Sequence, residues 1–290
     1  AFVTRFFHDR QNKTEIALYK GGYTHSDEFP HFGACSGSGH DDESIGGTCE
    51  AMKRLAAPTG ILTSLDAKGW DFSVRRTDFV ADGWRRADLA AIAGAPALYC
   101  YGIMNMALSL SAHVVRIGRC LIAIAIFGIM GSGIVSTTAS NCFMRGLKHS
   151  EGFWPTTGQV SDSLNNGDDN IGNMSIDAGV RKIWDDIGMV FDESEDMRAY
   201  NLEQRVSFTS HLYDIVAGTA EYDNQAKLLL RLSCCVATNR PLTQEQVAGV
   251  MICLRNTPQT LAKVQEFVRV NFPEWNRVAW ESVRPDTSLL

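Results

Sequence analysis

The chain has 290 residues, of which 45% are hydrophobic and 21% charged, enough to exclude a disordered chain and to build roughly two or three subdomains with real cores. Lys and Arg total 27 against 33 Asp and Glu, a formal net charge of −6. That excludes a simple polycationic nucleic-acid binder, because phosphate contacts need cations.

In chain order, a helix is expected around Asn12 to Tyr19, then a Gly- and His-rich loop from Gly21 to Gly47. Ile61 to Leu65 is a short apolar run ending at Asp66, which suits a buried strand. Residues 85–113 are Ala- and Leu-rich with helical periodicity, and Val114 to Ile129 reads as paired strands. Ser136 to Leu147 has helical character. Val160 to Leu164, the turn around Asn166-Gly167-Asp168-Asp169 and the run from Ile171 read as a hairpin. Ile176 to Ile187 suits an amphipathic helix and Arg205 to Leu212 a short strand. From Glu221 onward the pattern is helical: Ala226 to Val236, a helix capped by Thr243 with Gln246, and one opened by Thr257-Pro258.

The eight cysteines are irregularly spaced and form no C-x-x-C pair, which predicts reduced thiols in a cytosolic protein. Cys234-Cys235 is expected to be buried packing. His31, Cys35, His40 and Cys49 fit no common zinc spacing, and His25, His31 and His40 are expected to be solvated. The longest apolar run, Cys120 to Met130, falls well short of the ~20 residues of a spanning helix. The chain opens on Ala1 with no signal-peptide pattern, so it is expected to be cut from a longer protein.

Three motifs carry chemistry. In Leu65-Asp66-Ala67-Lys68-Gly69-Trp70-Asp71-Phe72-Ser73 a strand delivers Asp66 at its end, and Asp71 follows five residues later. A carboxylate so placed suits the bridging of two Mg²⁺ ions ~4 Å apart, as nucleotidyl transfer needs, although most such pairs are solvated surface acids. Trp70 and Phe72 are expected to be core rather than base-stacking. In Gly167-Asp168-Asp169, adjacent carboxylates at a hairpin tip repel, and a cation would offset the repulsion; the plainer alternative is an ordinary turn. In Ser132-Gly133-Ile134-Val135-Ser136-Thr137-Thr138-Ala139-Ser140-Asn141, Thr137 and Asn141 share a helix face. Asn141 there suits a ribose hydroxyl; the alternative is a capped helix whose small residues pack closely. Each signal alone is weak, and their order along one chain makes them jointly strong.

These residues resemble motifs A, B and C of the palm of positive-strand RNA virus RNA-dependent RNA polymerases. Asp66 to Val74 resembles the Asp-x-x-Gly-aromatic-Asp-aromatic-Ser-Val form of the sobemovirus and luteovirus-like group. Gln11 to Ile16 resembles, more loosely, the stretch ahead of motif A, and Val206 to His211 resembles the primer-grip hairpin of motif E. The resemblance covers most of residues 5–215. It implies an α+β right-hand polymerase with an antiparallel palm sheet, flanking helices, a helical thumb and incomplete fingers. It also implies partial fingers at 1–60, a palm at 61–215 with a fingers insertion at about 85–128, and a thumb at 216–290.

The resemblance further implies roles. Asp66 and Asp168 would be the principal ligands of Mg²⁺ (or Mn²⁺), with Asp169 assisting. Asp71 and Asn141 would read the ribose 2′-hydroxyl, while Ser132, Gly133 and Thr137 would position nucleotide and template. Ser210 would support the primer end. The implied partners are RNA template and primer, nucleoside triphosphates and other viral replication proteins, in the host cytoplasm. Two departures stand out. The family's basic motif F lies ahead of this region, and the chain is expected to begin too late to contain it in full, with Arg5 as its trailing edge. The stretch Ile187 to Arg198, where motif D is expected, holds no Lys, and neither Lys182 nor Arg198 can be assigned its general-acid role. The alternatives are a catalytically incomplete fragment serving as an RNA-binding scaffold, and a reverse transcriptase. Gly167 before Asp168, and Asp71 with Asn141, favour RNA synthesis over the latter.

Overall fold

The computed structural model describes residues 34–36, 42–55, 61–112, 114–123, 128–131, 137–158, 161–191, 198–200, 205–214, 219–237 and 242–275. The expected helix at Asn12 to Tyr19 lies outside them. The chain divides into two compact units, residues 1–40 with 51–199 and residues 41–50 with 200–290.

The first unit is built on a five-stranded sheet, ordered β1 (Ala34–Ser36), β5 (Ser163–Asn166), β6 (Asp169–Gly172), β2 (Leu62–Leu65) and β7 (Arg198–Tyr200). It is antiparallel across β5, β6 and β2, but β1 joins β5 in parallel, so the expected all-antiparallel sheet is corrected at that edge. Its helices are α2 (Trp70–Ser73), α3 (Arg76–Ile92), α4 (Ala97–Leu110), α5 (Thr137–Thr157) and α6 (Ala178–Asp186). The single helical stretch expected at 85–113 is two helices, because Gly94 turns left-handed at φ 83° and Pro96 stands as the N-cap of α4. β3 (Val114–Ile117) and β4 (Cys120–Ala123) form the expected strand pair around Gly118-Arg119.

Helix α1 (Asp42–Leu55) begins inside the stretch expected to be loop, which ran to Gly47. Ile45, Cys49 and Met52 are buried at helical spacing, and that stripe outweighs the cost of Gly46 and Gly47.

Helix α5 packs along the sheet through buried polar groups as well as apolar ones. Lys148 is ion-paired to Asp78 of α3 at 3.2 Å, with both side chains buried. Asp82 accepts from Arg86 Nε at 2.9 Å, Arg85 Nη2 at 2.7 Å and Ser140 Oγ at 2.7 Å. Burial pushes the Asp82 carboxyl up, but Arg86, Arg85 and the hydroxyl outweigh that and hold it below its usual value. These bonds pin the first turn of α5, next to Asn141. At the far end, a β-carbon on Gly152 would collide with the Trp184 indole, whose Nε1 donates to the Lys148 carbonyl at 2.9 Å. Only Gly lets α6 approach α5 so closely.

The second unit has a three-stranded sheet of β8 (Arg205–Phe208), β9 (His211–Asp214) and β10 (Thr219–Tyr222), with helices α7 (Gln225–Ala237), α8 (Gln244–Cys253) and α9 (Pro258–Asn271). The short strand expected at 205–212 is a hairpin, as the resemblance of 206–211 to a hairpin implied, turned by Thr209 and Ser210 at φ 51° and 64°. Residues 219–222, partly assigned to helix from the sequence, pair with β9. Thr243 and Gln246 form the expected capping box. Thr257 takes the expected N-cap position of α9 and Pro258 opens the helix, but the Thr257 side chain makes no capping bond, because its hydroxyl donates back to the Leu254 carbonyl. Leu228, Val247, Met251, Leu254, Leu261, Val264 and Val268 form the core. Cys234 is exposed rather than buried, since it falls on the outer face of α7. Among the described residues, no helix is long and apolar enough to cross a membrane.

Candidate active site

The acids come together where the central strands of the first unit's sheet end: Asp66 just after β2, Asp168 in the turn between β5 and β6, and Asp169 at the start of β6. β2 runs apolar and buried to Leu65, which pairs with Asn170 of β6. The next residue along β2 is Asp66, and the residue before Asn170 is Asp169. Asn166 pairs with Asp169, so Gly167 and Asp168 alone make the turn and Asp169 opens β6. Gly167 has φ 69° and Asp168 does not have a positive φ, the pattern of a type II′ turn, which favours Gly first. Register thus brings Asp66 beside the Asp168-Asp169 pair, although about a hundred residues separate them in sequence.

A cleft of about 560 Å³ opens there, lined among others by Asp66, Asp71, Thr137, Asn141 and Asp168. Five residues singled out from the sequence therefore share one cavity. Asp169 is half-buried and does not line it. Ser132 and Gly133 lie outside the described residues. Ser210 is in the second unit. Thr137 donates its hydroxyl to the Gly131 carbonyl at 2.9 Å, tying the loop before α5 to the helix start. Asn141 is 6% exposed and its Oδ1 has no hydrogen-bond partner. An orphaned buried acceptor costs about 1–3 kcal/mol, which a donated hydroxyl would offset.

Trp70 is buried core at 3% exposure, as expected, but its Nε1 in the cleft wall also lacks a partner. Phe72 reverses the expectation: it is 79% exposed and lines the cleft, because the single turn of α2 faces Trp70 inward and Phe72 outward.

Among the described residues, no three His, Cys, Asp or Glu side chains are grouped as a ready metal cage. Two exposed carboxylates in one cleft, Asp66 and Asp168, still fit Mg²⁺. That ion keeps several waters and takes one or two carboxylates together with substrate phosphate oxygens. The zinc alternative gains nothing: Cys49 is fully buried, and burial pushes its thiol up to about 12.

No protein-family model matches the chain, and no curated protein matches it. Solved structures do. The RNA-dependent RNA polymerase of a human picobirnavirus aligns over 76% of this chain and 44% of its own, with TM-score 0.57 and 14% identity. An insertion-loop deletion mutant of such a polymerase aligns over 81% and 54%, with TM-score 0.50 and 14% identity. The fold is similar to that of viral RNA-dependent RNA polymerases. The chain spans about half the length of these structures.

Sequence reasoning missed several residues of the site. Lys68 and Thr138 line the cleft, and Lys68 is the cation among its lining residues. Cys142 Sγ accepts from the Gly167 N–H at 3.4 Å and donates to the Asn165 carbonyl at 3.3 Å, holding the turn against α5. Beneath the turn, Asn170 donates to Asn165 Oδ1 at 2.7 Å and Asn165 to Ser163 Oγ at 3.1 Å. Arg145, one turn beyond Asn141 on α5, is fully buried. Burial lowers its pKa to about 10, opposed by the charges of Asp66, Asp168 and Asp169, so it stays a cation. The i, i+4 spacing of Thr137, Asn141 and Arg145 was the available signal.

Proposed function

We propose that this chain is the central part of a viral RNA-dependent RNA polymerase. What carries this reading is that Asp66, Asp71, Asn141 and Asp168, from three separate motifs, line one cleft of a polymerase-like fold. The pattern from Asp66 to Val74 supports the sobemovirus and luteovirus-like group within it. Residues 1–60 would then be partial fingers, 61–215 the palm and 216–290 the thumb of a right-hand polymerase.

The reaction is in-line attack of a primer 3′-hydroxyl on the α-phosphate of a nucleoside triphosphate, with pyrophosphate leaving. Asp66 and Asp168, with Asp169 assisting, would hold Mg²⁺ (or Mn²⁺), which when bound would supply activation of that hydroxyl and neutralisation of phosphate charge. The orphaned Asn141 Oδ1 accepts a hydrogen bond from the ribose 2′-hydroxyl, with Asp71 beside it in the cleft. Ser132, Gly133 and Thr137 shape the nucleotide and template side. The chain would work with RNA template and primer, and with other viral replication proteins, in the host cytoplasm.

Primer extension on an RNA template with Mg²⁺ or Mn²⁺ tests the reading. The 290-residue chain alone is expected to elongate poorly, whereas the full-length protein should incorporate ribonucleotides, reduced to background by Asp66→Ala or Asp168→Ala. Extension that survives Asp168→Ala removes the site assignment. Normal RNA binding with no extension would favour the scaffold alternative.

A further inference from the structure

Two other buried cations of the first unit have an obvious partner. Lys148 meets Asp78, and Arg86 meets Asp82. Arg145 is different. Taking a guanidinium out of water costs several kcal/mol unless it is repaid by a partner, yet no carboxylate lies within ion-pair reach of it among the described residues. Its Nε donates to the main-chain carbonyl of Asp168 at 3.0 Å, and its Nη2 to that of Leu65 at 3.4 Å. Nη1 reaches only the Met189 thioether at 3.8 Å. The Trp70 and Phe191 rings lie 5.8 and 5.4 Å from its central carbon.

The two carbonyls are informative. One belongs to the turn acid itself and the other to the residue just before Asp66. Strand β6 lies between β5 and β2, so one planar fork spans the end of β6 and grips the backbone on either side of it. We infer that Arg145 is the positioning residue of the cleft, fixing the spacing of Asp66 and Asp168 through their backbones so that the pair is set for a divalent cation before it arrives. This rests on the reading of those carboxylates as metal ligands. A lysine would keep the charge but not the fork, because its ammonium is a point charge on a flexible stem.

Mn²⁺ binding to the intact chain, followed by electron paramagnetic resonance, tests this without relying on synthesis. Wild type should bind Mn²⁺, and Asp168→Asn should weaken it. Arg145→Met and Arg145→Lys should both weaken it by about 10–100-fold, the range for residues that orient metal ligands. Arg86→Met, which removes an equally buried arginine away from the acid-bearing strand ends, should lower thermal stability and leave Mn²⁺ affinity unchanged. Wild-type affinity in Arg145→Lys overturns the inference, since charge without the fork would suffice. So does a loss in Arg86→Met equal to that in Arg145→Met, since general loosening would explain both. If Arg145→Met fails to fold by circular dichroism, Arg145→Lys alone decides. If wild type and Asp168→Asn bind Mn²⁺ alike, the metal-site reading falls and the inference with it.

Discussion

The two units of this chain are held together by different physics. The first buries Asp78, Asp82, Arg86, Arg145, Lys148 and His149, whereas among the described residues of the second no Asp, Glu, Lys or Arg is buried. The second rests on an aliphatic cluster of α7, α8 and α9. Apolar burial is strong but non-directional. Hydrogen-bonded charges are costly but fix angles and register. The first unit uses them where α5 must present Asn141 and hold the Asp168 turn.

That contrast can be broken in graded steps. Region-resolved hydrogen exchange is the suitable readout, since each unit reports separately. Lys148→Met leaves Asp78 buried without its main cation and should cost the first unit about 3–5 kcal/mol. Adding Asp78→Asn should recover part of that loss. No recovery would mean that Lys148 acts by packing alone.

Leu261→Ala should cost the second unit about 2–5 kcal/mol through a cavity, with little dependence on salt. A strongly salt-dependent loss would contradict an apolar core. Acid should next separate the units. His149 is fully buried against Phe153 and Trp184, with its Nε2 bonded to Ser161 Oγ at 2.8 Å, and burial lowers its pKa from 6.5 to about 3. It is neutral in the folded state, while the unfolded chain gains its proton near 6.5. The first unit's stability is therefore full above pH 6.5 and declines as pH falls toward about 3, by about 1.4 kcal/mol per unit. His149→Gln should flatten that decline. The smallest effect belongs to the second unit. Thr243→Ala removes the acceptor of the Gln246 N–H and should cost about 1 kcal/mol, confined to α8.

How much was legible depends on how local the cause was. The capping box at Thr243, the Asp66 strand end and the Gly167 turn follow from short-range chemistry, and all stand in the structure. The start of helix α1 was read as loop because two glycines and a run of polar residues masked an apolar stripe spaced by four and then three residues. Strand β10 was lost because its four residues favour neither state until β9 offers a ladder. Phe72 was misplaced because adjacent aromatics look alike in sequence, and only the turn of α2 separates an inward from an outward side chain.

By itself the sequence determined which acids, which amide and which turn were available, because those depend on side-chain chemistry and on backbone preferences within a few residues. The tertiary structure alone decided that Asp66 meets Asp168 across β6, that Asn141 is left with an empty acceptor, and that Arg145 lies beneath them. Those are consequences of strand register and of the way α5 packs on the sheet, which no local preference encodes.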